Sequence, residues 1–296
     1  MKRILALLLA LILCLSIFPA EGLAEDPPSA EETSPAEEPP VSGSCGKSVT
    51  WSYDAESAVL CIEGSGKMKD YEELDGASSA PWAAFHLAAV EIGTGVASIG
   101  NYAFAYSDLA AITISTSVTS IGDYAFADCA ALQEIVLPDK LTSIGKSAFF
   151  GCESLAAVYI PAKVNYIGKA AFSACRTMTQ ITVDPYNYTF RSKGGVLFSR
   201  DGSKLINCPA GLGESYSIPS GVRSIRGYAF YGAQDLCEVS IPLSVTSIGR
   251  YAFADCPNLG DIFYAGSRSQ WKRIKIHTDD NYGFDALLTA AVHHNA

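Results

Sequence analysis

An Ile, mostly followed by Gly, returns at one fixed short interval; a Phe follows it by five, and a Leu-x-x-Ile/Val-x-Ile/Leu run comes after that. Together they predict an α/β solenoid: a leucine-rich repeat superhelix with a parallel β-sheet, short helical or 3-10 turns, and N- and C-terminal caps. Ile99, Ile121, Ile144 and Ile167 carry the period, and Ile225 and Ile248 resume it. Phe104, Phe126, Phe149, Phe172, Phe230 and Phe253 keep their offset from it. The Leu-rich run recurs from Leu87, Leu109, Leu132, Leu155, Met178, Leu236 and Leu259. One repeat has too few apolar side chains to offset the entropy of ordering its own backbone, so each must bury its Leu, Ile and Phe against the next.

The elements follow in chain order. Residues 1–24 read as a secretory signal peptide: Lys2 and Arg3, an apolar run from Ile4 to Phe18, and small residues Gly22 and Ala24 before the expected cleavage. That run is too short for a spanning helix. A lipid anchor at Cys14 would halve it, and the residues before Cys14 are not small. Residues 25–44 hold six acids, no base and five prolines, the composition of a solvated linker. Residues 45–84 form an expected N-terminal cap, with a β-hairpin of Val49–Tyr53 and Ala58–Ile62 around Asp54–Ser57. Repeats occupy 85–264. The step from Ile167 to Ile225 is much longer than one period, so an insertion at about 184–215 is expected. There Val196-Leu197-Phe198 and Lys204-Leu205-Ile206 flank Asp201-Gly202, a tight-turn signal, and predict a projecting hairpin. Tyr216–Pro219 would be the next sheet strand. Residues 265–296 make a C-terminal cap that buries Trp271, and no sorting signal is visible after it.

The repeat V-T-S-I-G-x-Y-A-F-x-x-C-x-x-L-x-x-I-x-I-P, as in Val118–Pro138 and Val245–Phe263, resembles the BspA-type leucine-rich repeat of bacterial surface and secreted proteins. The likeness covers about residues 45 to 296. It includes the front segment from Cys45-Gly46 through Trp51 to Pro81-Trp82 and the ending from Tyr264-Ala265-Gly266 through Trp271 to Val292-His293. The resemblance implies a secreted or cell-surface protein, adhesion or recognition of macromolecules, and no enzymatic chemistry.

Composition narrows the partners. The net charge is −10, and −11 once Lys2, Arg3 and Glu21 leave with the signal; six of those charges sit in the linker. An acidic chain argues against nucleic acid or an anionic membrane surface as partner. No membrane insertion is expected after signal removal. Cys129, Cys152, Cys175 and Cys256 share one repeat position with Ser107 and Ala233, so a ladder of small buried thiols is expected there, and Cys45 and Cys61 are left open as a possible pair. No C-x-x-C is present, and neither a metal nor a cofactor is expected. Gly64-Ser65-Gly66-Lys67 lacks the remaining residues of a phosphate loop and reads as a turn. His277 with Asp279 and Asp280, and His293-His294, read as surface. The chain has four histidines and no G-x-S-x-G elbow, so catalysis is not expected.

What remains is the outward face of the repeat strands, a long continuous strip whose candidate binding residues are Glu134, Val136, Tyr159, Gln180, Thr182, Glu238 and Phe263. Exposed apolar and aromatic groups on a rigid sheet anchor interfaces. The expected function is extracellular, non-enzymatic recognition of a protein or glycan through this face or the inserted hairpin. The alternatives are a structural spacer or assembly subunit without its own ligand, and a hydrolase hidden among the repeats.

Overall fold

Alternation makes the strands. In Ala157–Ile160 the β-branched Val158 and Ile160 are buried while Ala157 and Tyr159 face out, the period-2 pattern of a half-buried strand. The computed structural model describes residues 41–277 and 286–295, and the expected signal peptide and the linker up to residue 40 lie outside them.

The structure is a leucine-rich repeat fold of mostly parallel strands and almost no helix, joined by three backbone ladders. On the first face Val59–Gly64, Ala89–Ile92 and Ala111–Ile114 pair in parallel. Ala157–Ile160 pairs with Gln180–Val183. Ser215–Ser217, Glu238–Ile241, Asp261–Tyr264 and Ala291–His294 form a further sheet. On the second face the short strands carrying Ile99, Ile121, Ile144 and Ile167 pair Ile against Ile. The third ladder joins the Tyr-Ala-Phe segments: Phe104 N donates to Ala125 O (2.8 Å), Phe126 N to Ala148 O (2.8 Å) and Phe149 N to Ala171 O (2.9 Å).

Where short helical or 3-10 turns are expected, these segments make single i→i+3 turns that do not extend into helix, as Ala105 N donates to Tyr102 O (3.3 Å) and Ala127 N to Tyr124 O (3.1 Å). Tyr102, Tyr124, Tyr228 and Tyr251 take φ between 51° and 66°. A left-handed residue at that point swings the following N–H away from the chain's own preceding turn and toward the next repeat, so no helix can propagate. Among the described residues, helix is confined to Arg268–Trp271 and the 3-10 turn Ala286–Leu288.

Inside, the aromatic rings stack with the period: Phe104, Phe126, Phe149 and Phe172 lie 5.4, 5.2 and 5.5 Å apart in succession, and Phe230 and Phe253 lie 4.7 Å apart. Each buried thiol of the repeat position donates to the Phe carbonyl of the preceding repeat: Cys129 to Phe104 (3.0 Å), Cys152 to Phe126 (3.1 Å), Cys175 to Phe149 (3.1 Å) and Cys256 to Phe230 (3.0 Å). All eight described cysteines are free, Cys45 and Cys61 among them.

The insertion does not project. Phe190–Lys193, Val196–Ser199 and Lys204–Asn207 form an antiparallel meander whose last strand joins Ser224–Ile225 in parallel, Leu205 opposite Ile225. It thus occupies the place that a repeat's Ile strand would take. Val196, Leu197, Phe198 and Leu205 are at most 2% exposed. Leu197 and Ile206 pack into one apolar cluster, running back to Cys45; Val196, Phe198 and Leu205 pack into a second, running on to Leu287. Strand alternation makes the hairpin a wall shared by two cores. The Tyr-Ala-Phe ladder passes beside it, with Ala174 N donating to Tyr231 O (3.1 Å) and the Arg226 guanidinium to Ile167 O (2.9 Å).

Candidate binding surface

The first face sets the geometry of the outward strip, because in-register parallel pairing lines up residues one repeat apart. Ala157 stands beside Gln180 and Tyr159 beside Thr182; Glu238 stands beside Asp261, and Ser240, Phe263 and His293 follow in a row. Glu134 and Val136 are exposed, Val136 at 79%, but the 132–137 segment forms no strand and the ladder lapses there. Leu132, Ile135 and Leu137 still face the core. The strip is also broken by the insertion, where Ile181 N donates to Gly195 O rather than to a following repeat strand. The expected continuous strip is therefore broken at two places. Glu134 and Val136 stand on the strandless 132–137 segment, Tyr159, Gln180 and Thr182 on a first surface carried by Ala157–Ile160 and Gln180–Val183, and Glu238 and Phe263 on a second carried by Glu238–Ile241 and Asp261–Tyr264.

On the first surface the side chains are tied down. Tyr159 Oη donates to Asp184 Oδ2 (2.6 Å), a bond that holds the Asp184 carboxyl below the usual range and pushes the phenol up. Gln180 Nε2 donates to Thr182 Oγ1 (3.0 Å), and Thr182 is half-buried. Beside them rises a loop that the sequence reading missed. Tyr186 and Tyr188 are 76% and 86% exposed on either side of Asn187, which is fully buried. Asn187 Nδ2 donates to Pro161 O (2.9 Å) and Val164 O (2.8 Å), and its Oδ1 accepts from Thr189 N (2.9 Å) and Phe190 N (2.8 Å). The signal was present: Asn187 lies one repeat period after Val164, so a core valine of the repeat has become an asparagine between two tyrosines. Every polar atom of that carboxamide is satisfied, which lets it replace a hydrocarbon without penalty and pin the loop.

On the second surface Phe263 is 42% exposed and stacks on His293 at 4.8 Å. The His293 ring is fixed through Nε2 by Asp261 Oδ1 at 2.5 Å. His294, next along the same strand, turns toward Tyr264 and Trp271 instead. Glu238 is exposed and free of ion pairs among the described residues.

The remaining motifs do not build chemistry. Gly64 and Gly66 both take φ 104°, and a Cβ on Gly64 would lie 2.1 Å from Ser48 O. That segment is a tight turn into Gly66–Lys67, with no helix behind it to face a phosphate. Asp279 and Asp280 lie outside the described residues. Among the described residues no group of three or more His, Cys, Asp or Glu side chains is placed to hold a metal ion, and none of their helices is long and apolar enough to cross a membrane.

A family profile described as BspA type Leucine rich repeat region matches this chain in six copies, over residues 83–199 and 210–275. Among solved structures, a leucine-rich repeat protein from Eubacterium ventriosum superposes with a TM-score of 0.60 at 24% identity, covering 76% of this chain and 72% of that one. The pneumococcal vaccine antigen PcpA superposes with a TM-score of 0.52 at 20% identity, covering 73% and 68%. At these identities the likeness is one of fold. No curated protein matches the chain.

Proposed function

Because the chain belongs to the BspA-type leucine-rich repeat family, we propose that it is a non-enzymatic binding module, secreted or held at the cell surface, that recognises an extracellular protein or glycan. The basic and apolar start of the sequence supports export. The reading includes a solenoid whose two open ends are closed by residues 45–84 and 265–296. Trp82 supports the front closure, since it stacks on Phe104 at 5.8 Å and donates from its indole to Ala103 O.

One observation carries the proposal. Of the nine large apolar side chains most exposed among the described residues, three (Tyr159, Tyr186 and Tyr188) gather about one loop, where Asp184 accepts from both Tyr159 Oη (2.6 Å) and Tyr186 N (2.7 Å). Scattered exposed hydrophobes need no explanation, but a concentration of tyrosines on backbone pinned by a buried asparagine offers rigid contact area at low entropic cost.

The test immobilises extracellular matrix proteins and glycans and measures binding of the full chain beside a Tyr159→Ala, Tyr186→Ala, Tyr188→Ala triple variant. Binding that the triple variant weakens at least tenfold, with an unchanged melting temperature, supports the reading. Self-association with no ligand bound would replace it with that of a structural spacer.

A further inference from the structure

At the carboxyl ends of four paired strands, Ile218, Ser220 and residues 240–242, 263–265 and 293–295 line a depression of about 380 Å³. That volume lies in the range of small-ligand sites. One wall is the exposed ring of Phe263, backed by His293, which Asp261 holds in place. This aromatic platform is set before any ligand arrives, so little ordering is needed on binding. Around it stand Ser220 and Ser240, whose hydroxyls make no hydrogen bond within the described protein, and Asn295, whose Nδ2 donates to Ala265 O (3.1 Å) and leaves Oδ1 free to accept.

The lining contains no Lys, Arg, Asp or Glu, and its two histidines are already engaged, His293 with Asp261 and His294 against the rings of Tyr264 and Trp271. A charged ligand would lose water there without gaining a counter-ion, and a wholly apolar one would leave the hydroxyls and the amide unmet. We propose that this depression binds an uncharged, hydroxyl-rich ring, a terminal sugar residue of a neutral glycan. The C–H face of the sugar lies on Phe263, and its hydroxyls reach Ser220, Ser240 and Asn295. The proposal rests on the binding-module reading and gives it a second site, away from the tyrosine surface.

The test titrates the full chain with neutral oligosaccharides (chitobiose, mannotriose, maltotriose and cellotriose) and with acidic ones (sialyllactose and a chondroitin disaccharide). Indole emission reports seating, because Trp271 meets the edge of Tyr264 at 5.2 Å just behind the depression. Saturation-transfer NMR confirms which sugar protons touch the protein. Saturable binding of at least one neutral oligosaccharide at millimolar concentration is expected, weakened at least tenfold by Phe263→Ala and retained by Phe263→Trp. The tyrosine triple variant should bind the same sugar unchanged, and Phe263→Ala should leave matrix-protein binding unchanged, so either site can fail alone. Three results would each overturn the assignment: no saturable neutral ligand, a preference for the acidic sugars, or indifference to Phe263→Ala in a variant with an unaltered melting temperature.

Discussion

Replacing Asn187 by alanine should cost far more than a loop substitution ordinarily does. The change removes four hydrogen bonds, all between 2.8 and 2.9 Å, from a residue with no exposed surface. A net contribution of about 1 kcal/mol per bond sets the loss at about 4 kcal/mol, since two carbonyls and two amides stay behind. Water entering past the exposed Tyr186 and Tyr188 would recover part of it, leaving about 3 kcal/mol. Urea unfolding at constant m-value measures the loss, and limited proteolysis across 184–190 reports whether the loop has come free. Asn187→Asp separates the donors from the packing. Its ionised carboxylate would face the carbonyls of Pro161 and Val164, so that variant should be worse than alanine at neutral pH and recover as the acid protonates. Matrix binding should weaken in both variants although the partner never reaches residue 187. A loss below about 1 kcal/mol with the loop still protected would show that the strands alone hold the turn and that the carboxamide is incidental.

Two further outcomes follow from buried groups. Burial pushes the thiols of Cys129 and Cys175 up to about 12 from an ordinary 9.0. A thiol that holds its proton more tightly in the fold than in the unfolded chain stabilises fully below pH 9, and that stabilisation disappears as pH rises toward 12. Urea midpoints should therefore hold level up to about pH 8 and fall above about pH 9, by up to about 1.4 kcal/mol per pH unit for each thiol, and Cys129→Ala should shallow the fall. Phe198→Ala removes a ring only 2% exposed from the second core and should cost about 3–5 kcal/mol. Because the first core keeps Leu197 and Ile206, calorimetry should resolve two transitions in this variant; a single shifted peak would mean that the hairpin does not partition the molecule.

The period was the legible part. An Ile returning at so short and regular an interval is enough to foretell that Ile121 pairs with Ile99 on one side and Ile144 on the other, because only stacking buries so small a unit. The alternation in Leu-x-x-Ile-x-Ile likewise placed Tyr159 and Phe263 outward. The turns were hidden because their left-handed residues are Tyr102, Tyr124, Ser147 and Ala170 rather than glycines, and composition does not mark a φ that neighbouring repeats impose. Val196-Leu197-Phe198 reads the same whether it projects or plugs a core; only the missing Ile strand between Ile167 and Ile225 hinted that something had to fill that place. Tyr186 and Tyr188 escaped attention because they stand where the pattern breaks. The depression beside Phe263 depends on His293, which belongs to the closing segment and which no local motif connects to it.

The free thiols have a mechanical corollary. Each repeat is bound to the next by hydrogen bonds and ring contacts, and the cysteines, stacked as though for cross-linking, contribute only S–H donors to a neighbour's carbonyl. Among the described residues nothing covalent joins one repeat to another except the chain itself. Under tension the repeats would peel in turn, each unit releasing about 80 Å of chain. They would rewind when the load drops, because no bond has been broken that water and thiols cannot remake. A chain built this way yields to load by lengthening in steps while the repeats not yet unwound stay folded.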